Sequence, residues 1–190
     1  MTRFWWVRHG PTHAKTMVGW TDLPADLSDT AQIARLADYL PDTAQVISSD
    51  LIRASTTADA VQRTRIRLPH DPNLREIHFG DWEMQSFAQI EAQDPDRIHA
   101  YWDQPGDVRA PGGETWNDIA ARVSGATDRL LQQQSGDIIV VAHFGAILTQ
   151  VQRAESISAS DVFANRIDNL SVTRICFDGA WHLEDINHIP

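Results

Sequence analysis

The chain has a single cysteine, Cys176, so it can form neither an internal disulfide framework nor a cysteine-based zinc cluster. Cys176 sits in the β-branched run "VTRICF", where a packed strand thiol is expected rather than a nucleophile. Long apolar runs are also missing; none approaches the ~20 residues that cross a bilayer. Met1-Thr2-Arg3 leads into aromatics rather than a signal-peptide core, so a cytoplasmic protein with no membrane partner is expected. Positive charge is scarce too, with 16 Lys and Arg against 26 Asp and Glu, a net charge of −10. That balance disfavours nonspecific contact with nucleic acid or anionic membranes. Any anion bound here has to be held by a local cluster of cationic groups.

The 190 residues, 42% apolar and 22% charged, suit one globular domain with a sizeable core. No repeat or linker divides residues 1–190. The pattern that recurs is an apolar run, a polar tip and then a helix. "RFWWVRHG" is one such unit, "AQVISSD" followed by "LIRASTTADAVQ" a second, and "DIIVVAHFG" followed by "AILTQVQRA" a third. The unbroken apolar stretch Ile138 to Ala142 reads as a strand covered on both faces of a parallel sheet. "SDTAQIARLADYL" reads as a helix capped by Ser28 and ended by Pro41. Residues 115 to 134 place Trp116, Ile119, Ala120, Val123, Thr127, Leu130 and Leu131 on one helical face. "LSVTRICF" and "WHLEDI", joined through Asp178-Gly179-Ala180, read as a terminal hairpin. Alternating strands and helices predict an α/β sandwich with a mainly parallel sheet. Residues 77–112, rich in proline and aromatics, break the rhythm and read as a cap or insertion.

Ligands of open α/β sheets bind beyond the carboxyl ends of the strands. Three such ends carry polar residues here: Arg8 and His9, the stretch from Ser48 to Arg53, and His143. Two arginines and two histidines describe a site for a tetrahedral oxyanion, since the guanidinium fork meets two oxygens at once. Backbone N–H groups at the helix starts after residues 50 and 143 are expected to join it. Histidine in such a site suggests chemistry as well as binding, because neutral imidazole attacks phosphorus near neutral pH. The arginines and a protonated second histidine would then clamp the transferring group. The leaving alcohol needs a proton, for which Glu76 in "NLREIHFGDWE" is the candidate.

"RHGPT", "SSDLIRASTTA", "LREIHFGDWE", "PGGET" and "VVAHFGAI" follow one another in the order found in the histidine phosphatase superfamily. The resemblance covers residues 3 to about 150. It implies a phosphoglycerate-mutase-like, three-layer α/β/α sandwich and no cofactor or metal. It also implies His9 as the phosphorylated nucleophile, Arg8, Arg53 and His143 as the phosphate pocket, and Glu76 as the proton donor. Thr12 occupies the family's hydroxyl position. Three positions depart from the pattern. Lys15 stands where an asparagine often touches phosphate, and both a ligand role and a solvated-loop role stay open for it. Phe144 stands where a small glycine is usual, with Gly145 next, and Met84 replaces the glycine after Trp82-Glu83. Thr12, Lys15, Phe144 and Gly145 are accordingly the expected substrate-binding residues.

The 77–112 segment holds two arginines, Arg97 and Arg109, against seven acidic residues, a poor grip for a second phosphate. Its Phe79, Trp82, Phe87, Tyr101 and Trp102 suit the apolar side of a small phosphorylated alcohol. Phosphomonoester hydrolysis, resembling the α-ribazole and broad-specificity phosphatases, is therefore expected of a monomer or homodimer. Mutase-type phosphoryl transfer and a catalytically silent phosphate binder are the alternatives. His78 is expected to be merely adjacent, His9 and His13 not to pair on a metal, and Glu114 and Arg122 to be structural.

Overall fold

Strand β1 (Thr2–Arg8) divides its side chains between two cores, as a pleated strand must. Phe4 and Trp6 pack with Ile138 and Val140 on one side, while Trp5 and Val7 pack with Ile139 and Val141 on the other. The computed structural model describes all 190 residues. Its sheet has six strands in the order β3-β2-β4-β1-β5-β6. Strands β2 (Gln45–Ser48), β3 (Ile66–Arg67), β4 (Asp137–Ala142) and β1 run parallel. The hairpin β5 (Val172–Phe177) and β6 (Trp181–His188) adds two antiparallel strands beside β1.

Helices cover both faces, giving the expected three layers. α1 (Thr30–Tyr39) and α2 (Ile52–Gln62) supply Leu36, Ala37, Ala54, Ala58 and Val61 to the Trp5 side. α5 (Trp116–Gln133) and α6 (Phe144–Glu155) supply Ile119, Val123, Ile147 and Val151 to the Trp6 side. Two local expectations are corrected. The α1 cap is Asp29 rather than Ser28, because the Asp29 carboxylate accepts the Gln32 N–H at 2.9 Å while the Ser28 N–H is spent on Asp26. The two-residue edge strand β3 was not anticipated, being too short to show a period. Arg65, 3% exposed, sits just before it and donates to the carbonyls of Ala37, Leu40, Pro41 and Val61, closing the ends of α1 and α2.

The cap carries a short 3-10 turn, Gly80–Trp82, and the helices α3 (Phe87–Glu91) and α4 (Pro95–Asp103). Trp82, Ile90, Ile98 and Tyr101 are buried in the larger core, so the cap and the sheet layer share one interior. α7 (Ala159–Val162) precedes the hairpin. At the carboxyl end of the sheet, the His9 N–H donates to Ala142 O and the Ser49 N–H to Val141 O, both at 3.1 Å. Pairing of this kind sets His9, Ser49 and His143 side by side at one level.

Candidate functional site

Two contacts fix the His9 imidazole. Its Nδ1 lies 2.7 Å from Gly10 O, a group that can only accept, so Nδ1 carries the hydrogen. Arg53 Nε, which can only donate, points to His9 Nε2 at 3.3 Å, so Nε2 is bare and presents a lone pair. Burial, aided by the charges of Arg53 and Arg8, pushes the His9 pKa down to about 3, so the ring is neutral over the physiological range. The turn behind it is pinned as well. Gly10 N–H donates to Thr57 Oγ1 at 3.0 Å, and Asn169 Nδ2 donates to His9 O at 2.8 Å.

Arg53 is 1% exposed and held by backbone carbonyls, with Nη1 on Thr21 O at 2.9 Å and Nη2 on Gly19 O at 2.5 Å. The loop presenting those carbonyls is gathered by one carboxylate. Glu83 accepts from the N–H groups of Gly19 (3.0 Å), Trp20 (2.7 Å), Thr21 (3.2 Å) and Phe79 (3.2 Å), and from the Thr21 hydroxyl (2.7 Å). Burial raises the Glu83 pKa, but the hydrogen bonds from Thr21, Trp20 and Gly19 outweigh it and hold the carboxyl below its usual range.

Arg8 Nη1 donates to Ile167 O at 2.6 Å, its guanidinium carbon lies 5.4 Å from the centre of the Phe144 ring, and its Nε has no partner. The His143 ring centre is 5.0 Å from that of His9, and its Nε2 lies 2.9 Å from Ser49 Oγ while Nδ1 is buried without a partner. Burial, then the charges of Arg53 and the neighbouring His9, holds His143 well below its ordinary pKa. Burial favours the neutral ring, against the protonated form expected of the second histidine around a phosphoryl group.

Glu76, 7% exposed, lies at the start of α6. Its Oε1 accepts from the N–H groups of Ile77 (2.9 Å) and Gly145 (3.0 Å), and Oε2 from Gly145 (3.1 Å). Burial pushes its pKa up despite those bonds and the nearby charges of Arg53 and Arg8. Gly145 is glycine for a steric reason, since a Cβ there would overlap Glu76 Oε1. A second expectation changes with this. The helix-start amides at residues 52 and 145 do not serve an anion, because Ile52 N–H donates to Asp22 and Gly145 N–H to Glu76. The loop carrying Glu76 is braced by Arg122, which pairs with Glu114 at 2.7 Å and donates to the carbonyls of Asn73, Arg75 and Glu76.

Thr12 and Lys15 line an open cleft with Arg8, His9 and Asn169. Lys15 is exposed there and is the only lysine of the chain. His13 is exposed on the rim of the same cleft and pairs with Asp26 at 2.8 Å. His78 accepts the Gly80 N–H at 3.2 Å and meets the edge of Trp20, so it is part of the cap turn. Phe144 and Gly145 border a second, apolar concavity on the Glu76 side.

Asn169 and Phe163, a residue that lines this concavity, carried no motif signal, while Glu83 and Thr57 lie inside the quoted motifs "LREIHFGDWE" and "SSDLIRASTTA" without a role being expected of them. Asn169 could have been found by topology: β5 (from Val172) runs antiparallel to β1, so the few residues before β5 fall beside the end of β1. That segment has its own signature, Leu170, buried at φ 61°, a left-handed backbone forced between Asn169 and β5.

Known proteins resemble the chain in sequence and in fold. The chain is 28% identical over 193 residues to the adenosylcobalamin/alpha-ribazole phosphatase of Escherichia coli, covering 97% of this chain and 90% of that protein. It is 31% identical over 163 residues to a bifunctional protein of Mycobacterium tuberculosis, covering 82% of this chain, and it spans 44% of that longer relative's length. The solved structure of Bacillus stearothermophilus YhfR superimposes with a TM-score of 0.90 at 26% identity, over 100% of this chain and 98% of that one. The model of the histidine phosphatase superfamily, branch 1, matches residues 4–188, and the chain belongs to that family.

Proposed function

We propose that this protein hydrolyses phosphomonoesters through a phosphohistidine on His9. The observation that carries the reading is the opposed tuning of two buried groups: His9 is held neutral with no hydrogen on Nε2, while Glu76 is pushed toward its protonated form. In the first step His9 Nε2 attacks phosphorus. The N–P bond forms, the bond from phosphorus to the ester oxygen breaks, and that oxygen takes the proton of Glu76. In the second step the Glu76 carboxylate removes a proton from water. The water oxygen bonds to phosphorus, and the N–P bond breaks with its electron pair returning to His9.

Arg8 and Arg53 offset the charge on the phosphoryl oxygens, and the unpartnered Arg8 Nε and His143 Nδ1 leave hydrogen-bonding capacity for them. Arrival of a dianion raises the proton affinity of His143, whose low value comes from burial and neighbouring cations. Thr12 and Lys15 line the outer approach. The clamp consists of side chains, so the activity is read as metal-independent and of the acid-phosphatase type. The reading includes a small-molecule ester as the partner, a cytoplasmic setting, and a monomer or homodimer; no helix is long and apolar enough to cross a membrane. Mutase-type transfer is less favoured, since the concavity beside Glu76 is lined by no arginine or lysine that would hold a second phosphate.

The test is turnover of p-nitrophenyl phosphate with chelator present, together with trapping of an acid-labile, base-stable phosphoprotein. His9→Ala should lose both, with turnover falling at least about a thousandfold. Retained turnover in that variant would falsify the nucleophile.

A further inference from the structure

Arg8 is held more loosely than Arg53. Arg53 rests on two carbonyls, whereas the Arg8 guanidinium makes one hydrogen bond, from Nη1 to Ile167 O at 2.6 Å. That carbonyl belongs to the peptide unit joining Ile167 to Asp168. The N–H of the same unit, on Asp168, donates to Asn187 Oδ1 at 2.6 Å. A trans peptide is planar, with its C=O and N–H pointing in opposite directions. Asn187, gripping one edge of the unit, therefore aims the carbonyl on the other edge at Arg8. The Asn187 Nδ2 completes the grip by donating to Asp168 Oδ2 at 3.1 Å.

Asn187 reaches Asp168 because the last strand is irregular there. Val172 pairs with His188 and Arg174 with Asp185, so Thr173 of β5 faces two residues of β6, Ile186 and Asn187. At this bulge the Asn187 backbone is left-handed, φ 57°, a conformation that asparagine tolerates better than most side chains. Its N–H donates to Thr173 Oγ1 at 3.2 Å, and Thr173 is fully buried, so the bulge is fixed to the sheet. The residues after Asp168 serve the same edge: Asn169 Nδ2 donates to His9 O and Leu170 N–H to Arg8 O. Resting on the phosphatase reading, we propose that Asn187 is a positioning residue for Arg8, which it aims at the phosphoryl group through the Ile167–Asp168 peptide. Arg8, His9 and Asn169 line the cleft and Asn187 does not, so it acts only through other groups. An arginine has many rotamers, and a side chain with a single anchor spreads over them when that anchor is free to turn. Fixing the carbonyl in advance keeps the guanidinium fork in place before the ester arrives.

The test compares wild type with Asn187→Gly and with the exchange variant Asp168→Asn/Asn187→Asp. Glycine accepts the left-handed backbone and removes both bonds to Asp168. The exchange rebuilds both with roles reversed, because the new carboxylate accepts the backbone N–H at 168 and the N–H of the new amide. It gives up the ion pair of Asp168 with Arg166, whose side chain is 80% exposed, a surface pair of little worth. Asn187→Gly should raise the inhibition constant of inorganic phosphate and lower kcat/KM for p-nitrophenyl phosphate, each about five- to tenfold. The exchange variant should stay within about threefold of wild type in both. A purely structural role would lower the melting temperature of Asn187→Gly and leave both constants of the folded fraction unchanged. That result overturns the inference, as do losses in the exchange variant equal to those of the glycine variant. If Asn187→Gly does not fold, Asn187→Ser, too short to hold both Asp168 groups, takes its place, and unchanged constants there overturn the inference as well. Should wild type hydrolyse no ester, p-nitrophenyl phosphate included, the phosphatase reading falls instead. Calorimetry with inorganic phosphate then decides the role of Asn187. Binding should weaken about five- to tenfold in Asn187→Gly, and equal binding, or none to wild type, overturns it.

Discussion

Arg53 and His9 meet at 3.3 Å through Nε and Nε2; the contact orients the imidazole, and burial, then the Arg53 charge, keeps a proton off Nε2. The arginine cannot move without its carbonyl partners at Gly19 and Thr21, and those are placed by Glu83. Geometry at His9 is thus set by a carboxylate three contacts away.

Glu83→Gln replaces an oxygen that accepts hydrogen bonds with an amide nitrogen that cannot. We expect kcat for p-nitrophenyl phosphate to fall about 10- to 100-fold. The folded state should lose about 1–3 kcal/mol, from buried N–H groups left without partners. A role confined to stability would lower the melting temperature and leave kcat of the folded fraction unchanged. Steady-state kinetics beside denaturant melts separate the two.

Glu76→Gln should slow alkyl phosphates more than p-nitrophenyl phosphate, whose leaving group barely needs a proton. Gly145→Ala should do the same by displacing the carboxyl that Gly145 N–H holds. In wild type the rate for alkyl esters should fall as pH rises through the raised Glu76 pKa, with p-nitrophenyl phosphate less affected in that limb. Equal losses for both substrate types would assign Glu76 to positioning, or to activating water alone.

Stability should fall as the medium is acidified. His9 and His143 both have folded-state pKa values below the unfolded value of 6.5, so the unfolded chain binds more protons in that range. Their contribution is present above about pH 6.5 and drains away as pH falls toward about 3, where His9 itself titrates. Urea melts across this window should show a steeper acid loss in wild type than in His9→Asn. Matching slopes would show that burial of His9 is not coupled to protonation.

Lys15→Ala removes the only lysine from a cleft it shares with Arg8 and His9. We expect KM and the inhibition constant for inorganic phosphate to rise about three- to tenfold, with a weaker dependence on salt. Unchanged constants at low ionic strength would place Lys15 in the solvated loop.

Much of the site was legible because each element announces itself locally. Arg8 and His9, Arg53, and His143 each end an apolar run or open the helix after it, and strand ends of a parallel sheet share one edge. Glu76 was reachable through its motif. Glu83 closes the motif "LREIHFGDWE", yet its role was not legible there, because it lies in five donors gathered from loops at residues 19–21 and 79. The helix-start amides misled for the same kind of reason: an N-terminus advertises an anion site, yet whether a ligand or an internal carboxylate takes it depends on what folds against it. His143 likewise carries no sign in the sequence that its burial keeps it neutral.

The sequence by itself determined the layers, the parallel strands with their terminal hairpin, and the set of Arg, His and Glu side chains proposed to transfer a phosphoryl group. These follow from periodicity and residue chemistry, which are local. Only the tertiary structure decided the His9 tautomer, the occupation of the Gly145 amide by Glu76 and the bracing of Arg53 by Glu83. It also decided that Trp116, Phe144 and Phe163 converge with cap residues into one aromatic wall. Each of these depends on groups far apart in the chain meeting at hydrogen-bond or van der Waals distance, and no local pattern encodes that meeting.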